Sequence, residues 1–127
     1  MPASALLAAA SIASLKLCAD EYLLLLARPH EVASVTFLAR DPLESPLWRV
    51  ARKHRPNDGS IEEVIAAEPS VVLRMGGGGR ATTLLARRLG IEAIDLRFVS
   101  TLDDVAANFR TVASALGDPS RAEPWVR

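Results

Sequence analysis

The chain has 127 residues, enough for one domain with a real core and too few for two. Half of the residues are apolar, and 15 Lys and Arg balance 15 Asp and Glu, which argues against a protein built to coat nucleic acid. The single cysteine, Cys18, excludes an internal disulfide, and no apolar run approaches the roughly 20 residues needed to span a bilayer.

Residues 1–10, "MPASALLAAA", read as the remnant of a secretory signal peptide ending in a small-residue cleavage region. A cationic start and most of the apolar stretch are missing, so an ordinary apolar first element is the alternative. "SIASLKL" (11–17) reads as the first strand and "ADEYLLLLA" (19–27) as a helix stopped by Arg28-Pro29. Cys18 follows this apolar run with no metal-spaced partner and is expected to be a buried structural thiol. "EVASVTF" (31–37) is a second strand, and "SPLWRVARKH" (45–54) a helical patch.

Residues 60–67 read as a helix with a capping box, Ser60 bonding the amide three residues on and Glu63 bonding back. Pro69 closes that helix, and "SVVLR" (70–74) is a third strand. Four glycines, 76–79, lead into a helix over 80–89, with Gly90 where a left-handed C-cap would sit. "IEAIDL" (91–96) is a fourth strand. The longest helix, 101–116, opens at Ser100 or Thr101 and closes at Gly117 with Pro119 just beyond.

Strands alternating with helices predict right-handed crossovers and an α/β fold, a Rossmann-like three-layer sandwich with a four-stranded, mainly parallel sheet. Ligands of such sheets meet the loops at the carboxyl ends of the strands, here 17–21, 38–42, 75–80 and 97–101.

Catalytic chemistry is poorly represented. The glycine tract lacks the Lys-Ser/Thr pair of a P-loop, since Arg80-Ala81-Thr82 follows it. A dinucleotide reading survives only through Asp95, near the end of the next strand. His30 and His54 have no nucleophile in a recognised spacing and read as surface residues. No set of His and Cys has metal-ligand spacing. Asp20-Glu21 and Glu62-Glu63 are adjacent on helices and so diverge by about 100°, which makes no acid–base dyad. Aromatic residues are too scattered for a stacking platform on single-stranded nucleic acid. Nothing reads as an active site.

Several stretches, "SIASLKLCADEYLLLLA", "SIEEVIAAEPSVVLRMGG", "LARRLGIEAIDL" and "TLDDVAANFRTVASALGDPSRAE", occur in an order and spacing that resembles one family. It is that of the substrate-binding proteins serving ABC importers of ferric siderophores, haem and cobalamin. The resemblance covers residues 11–123. It implies two Rossmann-like lobes joined by one long helix, with the ligand held between them. This chain would be the amino-terminal lobe, over 11–117, with 118–127 as the start of a truncated interlobe helix.

By the same resemblance the protein is non-enzymatic and periplasmic and holds no resident cofactor. Its ligand is a metal chelate or corrinoid, and its partners are ABC permease subunits and no nucleic acid. The ligand-binding positions fall on Leu38, Arg40, Met75, Gly76, Gly77 and Arg80. Cobalamin binders tend to carry aromatics there, whereas this chain offers an aliphatic and a thioether. Arg40, Arg74 and Arg80 would face an anionic chelate through charge-assisted hydrogen bonds. Glu62 matches the glutamate that docks to permease arginines, with Glu63 left to cap the helix. Two alternatives stay open: a stand-alone nucleotide- or cofactor-binding domain using Asp95, and a protein-interaction module. A homodimer through the truncated face is a further expectation, because Trp125 and Val126 have no evident internal partner in the sequence.

Overall fold

The computed structural model describes residues 10–76 and 80–126. The signal segment expected over 1–10 falls outside them apart from Ala10, as do Gly77 and the two glycines after it. In chain order the elements are β1 (Ile12–Ser14), α1 (Leu17–Leu26), β2 (Val32–Thr36), α2 (Trp48–Ala51), β3 (Pro56–Asn57) and α3 (Ile61–Val64). They continue with β4 (Val71–Met75), α4 (Arg80–Arg88), β5 (Glu92–Leu96), α5 (Leu102–Ala115) and α6 (Glu123–Val126). Four short 3-10 turns lie at Pro29–Glu31, Phe37–Arg40, Ile65–Ala67 and Pro119–Ala122.

The strands form one sheet in the order β3-β2-β1-β4-β5, and every pairing is parallel. The sheet therefore has five strands, not the expected four. The added edge strand, β3, is two residues long and opens on Pro56. That is too short to leave a periodic signal, and a proline without an N–H is tolerated at a sheet edge. Val35 and Thr36 pair with Pro56 and Asn57.

Alternation along the central strands divides the core. Ile12, Val71 and Leu73 face one side, where they pack with Leu23, Phe109 and Val112 from α1 and α5. Ala13 and Val72 face the other, against Ile61 and Val64 of α3 and Ala86 of α4. Helices thus cover both faces of a sheet buried on both sides.

Local chemistry decides the boundaries. The first strand is shorter than expected because the chain turns at Leu15, whose N–H still bonds the Leu73 carbonyl at 3.0 Å, and Lys16 caps α1. The patch over 45–54 condenses to the single turn of α2. The Ser60 capping box does not form: the Ser60 hydroxyl turns back to donate to Asp58 at 2.6 Å, and Glu63 is exposed. At α5 the expected cap is present, with Thr101 accepting from the Asp104 N–H and Asp104 accepting from the Thr101 N–H. Gly90 (φ 73°) and Gly117 (φ 80°) both take the left-handed conformation expected of C-caps. Cys18, expected to be buried, is exposed.

The tail is tied into the domain. Trp125 stacks on Phe109 with ring centres 5.2 Å apart, and Phe109 meets Tyr22 edge-on at 4.9 Å. Trp125 thus has an internal partner on one side while staying 46% exposed. Arg121 makes a two-pronged ion pair with Glu31, at 2.7 and 3.1 Å, and also donates to the Leu26 carbonyl. Glu31 is 5% exposed.

Candidate ligand-binding edge

Because all five strands are parallel, their carboxyl ends share one edge of the sheet. The chain crosses from one side of β1 to the other when it enters β4, so the crevice outside β1 and β4 is the switch point of the sheet. Buried amides and carboxyls shape this edge. Asn57 Nδ2 donates to the Ser14 carbonyl at 2.9 Å and the Ser34 hydroxyl at 2.7 Å, joining the ends of β1 and β3 to the middle of β2. Its Oδ1 accepts from the Gly59 N–H at 2.8 Å, which satisfies the whole buried amide.

Asp20, in the first turn of α1, is fully buried and accepts from both the N–H and the hydroxyl of Thr36, the last residue of β2. Burial pushes its pKa up to about 7, against the opposing pull of the Thr36 hydrogen bonds. Thr36 is also the residue from which the Phe37–Arg40 turn springs. Phe37 is 56% exposed there, beside half-buried Leu38 and Arg40. With Asp41, Pro42 and Arg52 these three line an open hollow of ≈ 600 Å³. Arg52 donates through Nε to the Arg40 carbonyl at 3.1 Å, and both it and Arg49 lie over the Trp48 ring, the guanidinium carbons 4.6 and 4.2 Å from the ring centre. Arg40 Nε is buried and has no hydrogen-bond partner among the described residues.

On the far side of the crevice, Gly76 follows β4 with φ 76°. A methyl group on Gly76 would lie 2.2 Å from the Phe98 ring, so the glycine is what lets that ring lie against the backbone. Phe98 is 71% exposed. Its loop is held by Asn108, buried in α5, which bonds the Arg97 N–H at 2.8 Å and the Arg97 carbonyl at 3.0 Å and donates to the Tyr22 hydroxyl at 3.3 Å.

The expected site residues separate accordingly. Leu38 and Arg40 line the hollow beyond β2, and Gly76 supports Phe98 beyond β4. Met75 is half-buried and packs against the core, while Arg80 is exposed at the start of α4. Gly77 lies outside the described residues. Arg74, expected to face an anionic chelate, is instead 5% exposed and bonds Asp95, its register partner on β5, at 3.0 Å. That pairing also engages the one acid on which a dinucleotide reading relied. Glu62 is exposed in the first turn of α3. Sequence reasoning overlooked Phe37 and Phe98. Each follows a strand within two residues, at the edge where a ligand is expected, and an exposed aromatic there was the available signal. Among the described residues no cluster of His, Cys, Asp and Glu is arranged to hold a metal ion, and no helix is long and apolar enough to cross a membrane.

No protein-family model and no curated protein matches the chain. Among solved structures it is similar to the apo form of the periplasmic heme-binding protein RhuT from Roseiflexus sp. RS-1, with a TM-score of 0.71 and 25% identity. That match covers 93% of this chain and 45% of the other. A periplasmic heme-binding protein from Pseudomonas aeruginosa matches with a TM-score of 0.71 at 16% identity, over 91% of this chain and 41% of that one. The periplasmic vitamin B12-binding protein BtuF of Vibrio cholerae gives 0.66 at 21% identity, over 93% and 46%. The chain spans less than half the length of the structures it matches, and its fold is that of a single lobe of a bilobal binding protein, consistent with the amino-terminal lobe.

Proposed function

We propose that this chain is the amino-terminal, ligand-capturing lobe of a periplasmic solute-binding protein, and that it holds a metal chelate or corrinoid for delivery to an ABC permease. The observation that carries the reading is the structural likeness over 91–93% of the chain to periplasmic heme- and vitamin B12-binding proteins. The sheet edge supports it. Phe37 follows β2 and Phe98 follows β5, with β1 and β4 between them. Three strand spacings set the ends of β2 and β5 roughly 14 Å apart, and the Phe98 ring leans back over Gly76 at the end of β4. Such a spacing suits a flat macrocycle laid across the switch point, with Arg40 and Arg52 placed to meet its anionic periphery.

Leu38, Gly76, Gly77 and Arg80 complete the ligand-facing set in this reading, with Met75 backing it from the core. Residues 118–127 begin the interlobe helix, residues 1–10 belong to an export signal, and Glu62 is the permease contact. The role is capture and release, with no catalysis. The test is titration of the intact protein with haemin and with cyanocobalamin, read by absorption, alongside NADH and ATP by calorimetry. Saturable binding of a tetrapyrrole that is lost on Phe98→Ala supports the reading. Binding of a nucleotide with no response to either tetrapyrrole overturns it.

A further inference from the structure

Asp20 has no place in the ligand-facing set, yet it is a fully buried carboxyl beside the end of β2, and it accepts from both the N–H and the hydroxyl of Thr36, with the Ser14 hydroxyl also turned to it. Thr36 is where β2 ends and the turn carrying Phe37, Leu38 and Arg40 begins. We propose that Asp20 is a positioning residue, which sets the Phe37–Arg40 turn through Thr36 and makes the set of that turn depend on whether its carboxyl carries a proton. The inference rests on the turn being part of the ligand site.

The geometry accommodates both protonation states. The Thr36 N–H is a donor in either. The Thr36 hydroxyl donates to the carboxylate and can accept from the acid, so the contact survives protonation with its direction reversed. What changes is the charge in a dry site. On the same helix Glu21 is the charged neighbour that bears on Asp20, and it favours the proton. From β1 and β2 the facing groups are the Ser14 and Thr36 hydroxyls. The Phe37–Arg40 turn carries Arg40, β4 carries Arg74, already bonded to Asp95, and α5 carries Asp103, Asp104 and Arg110.

Burial holds the proton on Asp20 up to about pH 7, well above its ordinary value of 3.8. The arrangement in which the turn is held with Asp20 buried against Thr36 is therefore fully favoured below that ordinary value. Its advantage is lost as pH rises to about 7 and stays constant beyond. Asp20→Asn mimics the protonated state, with its oxygen accepting the Thr36 N–H and its amide donating to the hydroxyl, so it should keep the acid-side arrangement at every pH.

The test follows the Thr36 and Leu38 amide resonances of the full chain from pH 5 to 9 in wild type and Asp20→Asn, with haemin affinity measured over the same range. In wild type the two resonances should move together with one midpoint near neutrality. Haemin affinity relative to Asp20→Asn should fall between pH 5 and 7, by at most about tenfold per unit. In Asp20→Asn the resonances should stay flat. Static resonances in wild type, or the same titration in Asp20→Asn, would overturn the proposal. Thr36→Val and Thr36→Ser give a second arm should Asp20→Asn not fold. Valine removes a bond that favours the carboxylate, so it should raise the midpoint, and serine should restore it. An unchanged midpoint in Thr36→Val overturns the coupling. Titrating resonances with no binding of haemin or of cyanocobalamin at any pH would uphold the set of the turn and refute the ligand reading instead.

Discussion

The side-chain amide of Asn108 pairs with both main-chain groups of Arg97, accepting from its N–H at 2.8 Å and donating to its carbonyl at 3.0 Å. One buried side chain of α5 thereby fixes the loop after β5 and the exposed ring of Phe98 that follows. Asn108→Ala leaves those two peptide groups without these partners, at a cost of about 1–3 kcal/mol for a buried unsatisfied group. Chemical denaturation should show that loss. Hydrogen exchange should speed up at Arg97. A variant as stable as wild type, with Arg97 still protected, would rule out the clamp.

Gly76 and Phe98 separate backbone strain from ligand contact. Gly76→Ala forces a side chain into a left-handed backbone conformation, worth about 1–2 kcal/mol, and displaces the Phe98 ring. Phe98→Ala removes a ring that is 71% exposed and should leave the melting temperature within a few degrees. Both variants should weaken tetrapyrrole binding by tenfold or more, so a stable Phe98→Ala with undiminished affinity would take the ring out of the site.

The Glu31–Arg121 pair fastens the tail to the start of β2. Arg121→Met strands a carboxylate that is 5% exposed and should cost about 3 kcal/mol, whereas the double variant Glu31→Gln/Arg121→Met should recover part of that loss. Hydrogen bonds from Arg121 hold the Glu31 pKa below its ordinary 4.5. The folded value being the lower, the pair's contribution is present above pH 4.5 and is lost as pH falls through the folded value. Acid unfolding of wild type should therefore steepen below pH 4.5 relative to the double variant. Parallel acid limbs would show that the pair contributes nothing.

Glu62 is exposed in the first turn of α3. In a protein carrying both lobes, Glu62→Arg should weaken the permease complex tenfold or more with haemin affinity unchanged. The control is Asp103→Arg, on another exposed helix start. Equal loss from both reversals would reduce the effect to net charge.

The parts of the fold written in periodic stretches were legible. The strands near 12, 32, 71 and 92 and the long helix from Thr101 to its left-handed Gly117 follow from apolar alternation, capping chemistry and glycine at φ 80°. β3 was not legible, because two residues starting with proline carry no period and are held by the side chain of Asn57 as much as by pairing. At the sheet edge the loops after β2, β4 and β5 fall within or beside the expected stretches, but 17–21 lies in α1 rather than in a loop, and which side chains face outward was not legible. Arg74 reads as a free cation until its partner Asp95 is placed beside it by strand register, a contact 21 residues away in the chain. Cys18 reads as core because apolar residues surround it in sequence, yet helical geometry turns it outward while its neighbour Ala19 is fully buried.

The central strand has a consequence for the order in which the chain can fold. β1 is three residues long and lies between β2, which follows soon after it, and β4, which comes much later. At the seam, Ser11 and Ser70 exchange three hydrogen bonds across 59 positions, and Ile12 pairs with Val71 just beyond. Until residue 75 or so is available, β1 lacks one of its two neighbours and half of the layer it packs against. Closing so large a loop costs entropy before any contact repays it, and non-local parallel pairing is slow for that reason. The β1–β4 seam should therefore set the folding barrier. The first half of a newly made chain would stay unstructured and threadable while the rest is still being synthesised.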